Sequence, residues 1–222
     1  MKYVTQIHEI ELSSRCNLAC TYCPNPTMAR PKIDMDWVDY LRALDVVSHF
    51  VEQGTQCELA LTGVGEALLH ERFAEAVLLA RETIGDRLLT FSTNGILLSD
   101  ELLEQIKPAE PIIFVSLHRP EVGALALQRA RAHGLQVTHN YAFATSSLNW
   151  AGQVDWPVSA PRSVCEYLRS GWAVIRADGN IGTCCWDAES DHSLIGNIWQ
   201  DPSTLRTAPH KACESCSLVI EG

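Results

Sequence analysis

The strongest constraint on this chain is an alternation that runs from about residue 3 to residue 141. Short apolar runs, closed by glycine or a polar turn, alternate with stretches whose apolar residues recur at helical spacing. The runs IHEIEL (7–12), CELALTG (57–63), RLLTFSTNG (87–95), PIIFVSL (111–117) and LQVTHNYAF (135–143) read as strands. Between the first two, Trp37, Leu41, Leu44, Val47 and Val51 mark a helix behind an Asp36 N-cap. Phe73, Val77, Ala80 and Ile84 mark a second. Ser99 opens a third, with Asp100 and Glu101 at its positive end, and 121–133 form a fourth. About five closely spaced βα units argue for a parallel sheet, which right-handed crossovers curl toward a full or partial barrel. A full eight-unit barrel typically takes about 250 residues, and this chain has 222. The expected fold is α/β: a partial (β/α)6 TIM-like barrel with a small C-terminal β-hairpin extension.

Three segments follow from where the pattern breaks. Residues 1–143 form the barrel core. Residues 144–164, rich in Ser, Pro and Trp, read as a last barrel strand, a crossover or a linker. Residues 165–222 form the extension, where GWAVIRADGNIGTCCW suggests two short strands around the turn Asp178-Gly179-Asn180 and DPSTLRTA (201–208) a single helical turn. No apolar run reaches the length of a membrane span. The N-terminal MKYVTQIHEIEL lacks the apolar region and cleavage site of an export signal, so a cytoplasmic protein is expected. A net charge of −10 and no Lys/Arg cluster argue against nucleic acid. A small polar molecule or a short peptide is the expected partner.

Nine cysteines in a chain without an export signal read as metal ligands or catalytic groups rather than disulfides. Cys16, Cys20 and Cys23 follow the first strand in the spacing C-x3-C-x2-C, at the strand end where parallel sheets gather their active sites. Three thiolates ligate three irons of a cubane and leave the fourth open, whereas a closed site takes four. A zinc knuckle is the competing reading. It wants a fourth Cys or His at regular spacing, and no histidine follows closely. Cys57, inside an apolar run, reads as a small buried hydrophobe.

The segment RCNLACTYCPNP (15–26) resembles the cluster-binding motif of the radical SAM enzymes, which use S-adenosylmethionine (SAM). LTGVGEALLH (61–70) resembles that family's glycine-rich GGE segment, FSTNG (91–95) its third-strand motif and VSLH (115–118) its fourth-strand serine. In register, the resemblance covers most of residues 7–143. It implies a [4Fe–4S] cluster on Cys16, Cys20 and Cys23 that binds SAM. Gly63 and Gly65 would admit the methionine part close to the backbone, and Glu66 would accept from its ammonium. Ser92, Asn94 and Ser116 would contact ribose or carboxylate, and Tyr22 would lie near the adenine. Each of these polar strand ends is also consistent with an ordinary turn. The chain departs from the pattern in reading Gly-Val-Gly-Glu for Gly-Gly-Glu. It shows no fifth-strand G-x-I-x-G-x-x-E, and His139, Asn140 and Tyr141 stand there without an assigned role.

The later cysteines resemble the SPASM or twitch extension of the same enzymes: Cys165, then Gly179-x4-Cys184, then Cys213-x2-Cys216. This implies one auxiliary [4Fe–4S] cluster on Cys165, Cys184, Cys213 and Cys216, with Cys185 an ambiguous neighbour and a zinc ribbon the alternative. The implied activity is reductive cleavage of SAM to a 5′-deoxyadenosyl radical that abstracts a hydrogen atom. The twitch resemblance points to dehydrogenation of a small polar substrate such as an aminocyclitol or sugar. The auxiliary cluster would take the second electron, and a flavodoxin or ferredoxin would act as donor. Modification of a ribosomally made peptide is a competitor, set back because the chain begins at the barrel without a peptide-binding domain. A glycyl-radical activase and a non-catalytic zinc module complete the alternatives. Of the six tryptophans, Trp150, Trp156, Trp172 and Trp186 lie in or near the extension, with packing as their default role.

Overall fold

Each apolar run of the first 140 residues forms a strand, and each helical stripe between them a helix. The fold is that of a computed structural model, which describes residues 1–140, 150, 153–154, 165–187, 191–214 and 216. After the short β1 (Lys2–Tyr3), the order is β2 (Gln6–Ile10), α1 (Trp37–Glu52), β3 (Glu58–Leu61), α2 (Phe73–Ile84) and β4 (Leu88–Thr93). Then come α3 (Asp100–Ile106), β5 (Ile112–Ser116), α4 (Pro120–Ala132) and β6 (Val137–Asn140). The extension adds α5 (Glu166–Ser170), β7 (Trp172–Ile175), β8 (Asn180–Gly182), β9 (Leu194–Asn197) and β10 (Arg206–Thr207), the last paired with β1.

The main sheet has eight strands in the order β6-β5-β4-β3-β2-β7-β8-β9. Strands β2 to β6 pair in parallel, each with its sequence neighbour. Their interior residues are buried: Ile7, Ile10, Leu59, Leu61, Leu89, Phe91, Ile113 and Val115 are each at most 1% exposed. Parallel strands with both faces covered need such apolar runs.

The predicted caps are present. Asp36 accepts from the Val38 amide at 2.8 Å, and Ser99 from that of Leu102 at 3.2 Å. The buried stripe of α1 is Tyr40, Ala43, Leu44, Val46, Val47 and Phe50. Leu41 lies 43% exposed, so the inward face is rotated from the predicted one. Cys57 corrects the sequence reading. It is exposed, because the strand begins only at Glu58 and leaves Cys57 outside the core.

The extension is continuous with the core sheet. Strand β7 pairs in parallel with β2, and β8 and β9 follow antiparallel. The predicted hairpin turns at Asp178-Gly179, where Gly179 has φ +76°, a left-handed conformation that favours glycine. Residues 202–204 form the predicted single turn. The expected last strand or linker at 144–164 lies, apart from 150, 153 and 154, outside the described residues, as do Tyr141 and Trp156.

Tyr40 joins the first two helices through its hydroxyl, which donates to the Ala76 carbonyl at 2.6 Å in the buried interface. Tyr40→Phe removes the donor and keeps the ring. Its urea unfolding midpoint should fall by the equivalent of about 1 kcal/mol.

Candidate active site

The site is built where the chain leaves β2 and enters the cysteine loop. Glu11, one residue past the strand, is buried with its side chain 6% exposed, against Arg30 at 11%. Arg30 grips it with both ends of its guanidinium, at 2.8 Å and 2.7 Å. The amides of Val64 and Ala177 each donate to Glu11 at 3.1 Å. One carboxylate therefore ties together the end of the first strand, the cysteine loop, the β3 loop and the β7 hairpin.

The loop is fastened at further points. Asn25 donates to the Ser14 carbonyl at 2.8 Å and the Val64 carbonyl at 3.1 Å. The Glu66 amide donates to the Arg15 carbonyl at 2.7 Å. Arg15 pairs with Asp34, Nε to Oδ1 at 2.9 Å.

Gly63 and Gly65 answer a packing demand of this loop. A Cβ at Gly65 would fall 2.2 Å from the Ser13 carbonyl oxygen, and one at Gly63 would fall 2.5 Å from Glu11 Cγ. The side each glycine leaves bare is filled by the chain itself, and both also border the cavity described next.

A cavity of about 240 Å³ opens at these strand ends, roomy enough for a ligand rather than a water or two. Among the described residues it is lined by Cys16, Cys20 and Cys23 and by every other residue the sequence placed near SAM: Tyr22, Gly63, Gly65, Glu66, Ser92, Asn94 and Ser116. Glu66 accepts from Thr93 Oγ1 and the Asn94 amide, both at 2.8 Å, and from the Leu68 amide at 3.3 Å. Burial still holds its carboxyl above the usual range. Asn94 donates from Nδ2 to Asn17 Oδ1 at 2.7 Å and accepts from the Ile96 amide at 3.1 Å. The Tyr22 hydroxyl pairs with His118 Nδ1 across the cavity wall. Burial lowers the His118 ring, so it is neutral at pH 7.

The same cavity reaches the extension, where Trp150, Cys185 and Trp186 close it. Trp150 is buried against Met28 and Val64, and its indole donates to the Tyr22 carbonyl at 3.0 Å, as its packing default requires.

The structure separates the paired cysteines. Cys184 feels the charges of Asp187 and Cys216, and Cys213 that of Cys165. Cys185 is fully buried, with Glu9 and Tyr167 as neighbours. Asp187 is anchored by Arg176, Nη2 to Oδ2 at 3.1 Å, and by the Ser193 amide at 3.1 Å.

Burial pushes the Cys23 thiol up to about 11 and the Cys184 thiol up to about 12. Such groups stay protonated at neutral pH unless a metal displaces the proton. No three His, Cys, Asp or Glu among the described residues enclose a single ion. The three N-terminal thiols instead share the wall of a wider cavity, an arrangement that fits a multi-iron cluster held by thiolates.

A family model for the radical SAM superfamily matches residues 10–138. The chain belongs to that superfamily. Its members use a [4Fe–4S] cluster and SAM, and the cysteine-rich C-terminus fits an auxiliary cluster.

The chain is 34% identical over 106 residues, 48% of its length, to a tungsten-containing aldehyde ferredoxin oxidoreductase cofactor-modifying protein of Pyrococcus furiosus. It is 36% identical over 130 residues, 57% of its length, to GTP 3′,8-cyclase of Synechococcus sp. strain CC9902. These matches span only 27% and 35% of those proteins. Among solved structures, BtrN in complex with AdoMet and 2-DOIA matches 92% of this chain and 86% of its own, with a TM-score of 0.70 and 23% identity. The radical SAM enzyme anSMEcpe with bound AdoMet matches 89% and 79%, with a TM-score of 0.65 and 14% identity. Both likenesses show the fold. No helix among the described residues is long and apolar enough to cross a membrane.

Sequence reasoning missed Glu9, Glu11 and Arg30, and did not single out His118. For the two glutamates a signal existed: acidic residues stood in a strand whose neighbours called for apolar ones. Glu11→Ala would leave Arg30 buried without its partner and the Val64 and Ala177 amides without an acceptor. Losing one member of a buried pair typically costs about 3–5 kcal/mol. Chemical denaturation of Glu11→Ala should show a loss of that size, and limited proteolysis should first cut the loop between Cys16 and Ile33.

Proposed function

We propose that this radical SAM protein is an oxidoreductase that dehydrogenates a small polar substrate such as an aminocyclitol or a sugar. The observation that carries the reading is the shared cavity: Cys16, Cys20 and Cys23 line one part of it, and Cys185 and Trp186 of the extension another. A substrate held there would lie between the two cysteine groups. The likeness to BtrN, solved with AdoMet and 2-DOIA, supports a small-molecule substrate. A peptide substrate is the second reading, favoured by the likeness to anSMEcpe, solved with a bound peptide.

In this proposal Cys16, Cys20 and Cys23 hold the SAM-binding [4Fe–4S] cluster, and Cys165, Cys184, Cys213 and Cys216 the auxiliary one. When bound, these groups and SAM supply a hydrogen-abstracting 5′-deoxyadenosyl radical and a sink for the second electron. The chain's own residues bind, orient and enclose. Glu66, Ser92, Asn94 and Ser116 present acceptors and donors to the amino acid and ribose parts of SAM, with Gly63 and Gly65 setting the adjacent backbone. Tyr22, braced by His118, flanks the adenine. Trp150 and Trp186 keep water from the reacting centre. Neutral His118 is placed to receive a proton. Reducing electrons come from a flavodoxin- or ferredoxin-type donor, in a cytoplasmic setting where thiols stay reduced.

Anaerobically reconstituted protein should contain about eight irons per chain, two cubanes' worth. About four would remove the auxiliary cluster, and zinc without iron would overturn the proposal. With dithionite and SAM the protein should release 5′-deoxyadenosine, and Cys16→Ala should abolish it. The neighbours of the paired cysteines give a further expectation, read by iron analysis: Cys184→Ser falls toward about four irons per chain, whereas Cys185→Ser keeps the wild-type content.

A further inference from the structure

Three carboxylates stand at or beside this cavity, and the protein satisfies two of them. Glu11 receives four donors and Glu66 three. Glu9 differs. Its Oε1 accepts from the Tyr167 hydroxyl of α5 and lies 3.9 Å from His8 Nε2. Its Oε2 has no hydrogen-bond partner, yet is not among the buried polar atoms sealed off without one. The Glu9 side chain is only 15% exposed and borders the cavity, so Oε2 opens onto the cavity.

The backbone places it there. The pairing of β2 with β7 slips by one residue between Ile7 and Glu9. Irregularities of this kind re-aim a side chain and concentrate beside active sites. Glu9 also has a defined end of the cavity. Glu66 neighbours Cys16, whereas Glu9 neighbours Cys185 and borders the small cleft toward Cys184 and Arg176.

A carboxylate removed from water needs compensating donors or charge. No Lys or Arg lines the cavity among the described residues. The two nearby arginines are engaged: Arg30 grips Glu11, and Arg176 holds Asp187. A phosphorylated or carboxylated substrate would therefore meet Glu9 and Glu66 with no cation to offset them. A protonated amine would meet an open carboxylate oxygen.

We infer that Glu9 anchors the substrate through a protonated amino group, at the Cys185 end of the cavity, and that the substrate class is an amino-polyol rather than a neutral or phosphorylated one. This rests on the proposed small-molecule activity and narrows it.

Binding in the absence of reductant tests the inference separately from turnover. The probes are scyllo-inosamine, its hydroxyl counterpart scyllo-inositol, and an inositol monophosphate. Each is titrated calorimetrically into reconstituted, SAM-loaded protein at pH 7. A hydrogen bond to a charged group is worth about 1.5–3 kcal/mol, so the amine should bind about tenfold or more tightly than the hydroxyl counterpart. The phosphate should bind weakest. In Glu9→Gln, with wild-type iron content as the check on folding, amine and hydroxyl should bind about equally.

Equal binding of amine and hydroxyl by the wild type would overturn the inference, as would preference for the phosphate or no binding of the amine. An amine preference surviving in Glu9→Gln would overturn it too. If the variant fails to fill with iron, discrimination by the wild type alone decides. Failure of the wild type to release 5′-deoxyadenosine from SAM and dithionite is a different result. It removes the proposed activity, while the binding titration still reports on Glu9.

Discussion

The bidentate pair between Glu11 and Arg30 holds the site together. The cysteine loop spans the residues between β2 and α1 with almost no regular secondary structure of its own. A loop of that length acquires a defined shape only through fixed points. Glu11 supplies the central one, because its two oxygens take the guanidinium on one side and two amides on the other. Those amides belong to Val64, in the glycine-rich turn after β3, and Ala177, in the hairpin after β7. Three segments distant in sequence thus meet at one buried charge. Such a pair contributes little net stability over an apolar substitute, because desolvation offsets most of the attraction. What it contributes here is position. Gly63 follows from the same geometry, since any side chain there would collide with Glu11.

The fold was largely legible because its signals are local. Apolar runs at strand length, stripes at helical spacing and the caps Asp36 and Ser99 are set by near neighbours in sequence, and the structure reproduces them. The exceptions have plain causes. Leu41 fits the helical period as well as Tyr40 does, and only the packing of α1 on α2 decides which turns inward. Cys57 adjoins an apolar run but precedes the first paired residue of β3. The pairing of β7 with β2 was not legible at all, because it joins residues more than 160 apart in the chain.

The site divides in the same way. The cysteines and the polar strand ends carried a readable spacing, and the cavity collects them. The residues that fix their positions carried none. Glu11 needs Arg30, Val64 and Ala177, none of which can be matched to it by sequence spacing. IHEIEL did hold one clue. Apolar residues at 7, 10 and 12 cannot share a face in a regular strand of period two. That break in parity coincides with the register slip between Ile7 and Glu9.

The extension then completes the core's cavity rather than merely decorating its edge. Because β7 continues the sheet beside β2, the residues after it, Cys184 to Asp187, emerge at the same end as the residues after β2. Tyr167 closes the arrangement by reaching from α5 to Glu9, a strand residue of the core. The two cysteine groups are therefore placed by a shared backbone ladder and by side-chain bonds from both parts, Glu11 to Ala177 and Glu9 to Tyr167. Shifting β7 by one residue along β2 would break both bonds and move Cys185 from the cavity. The pairing register of two strands thus sets whether one substrate can lie between both groups.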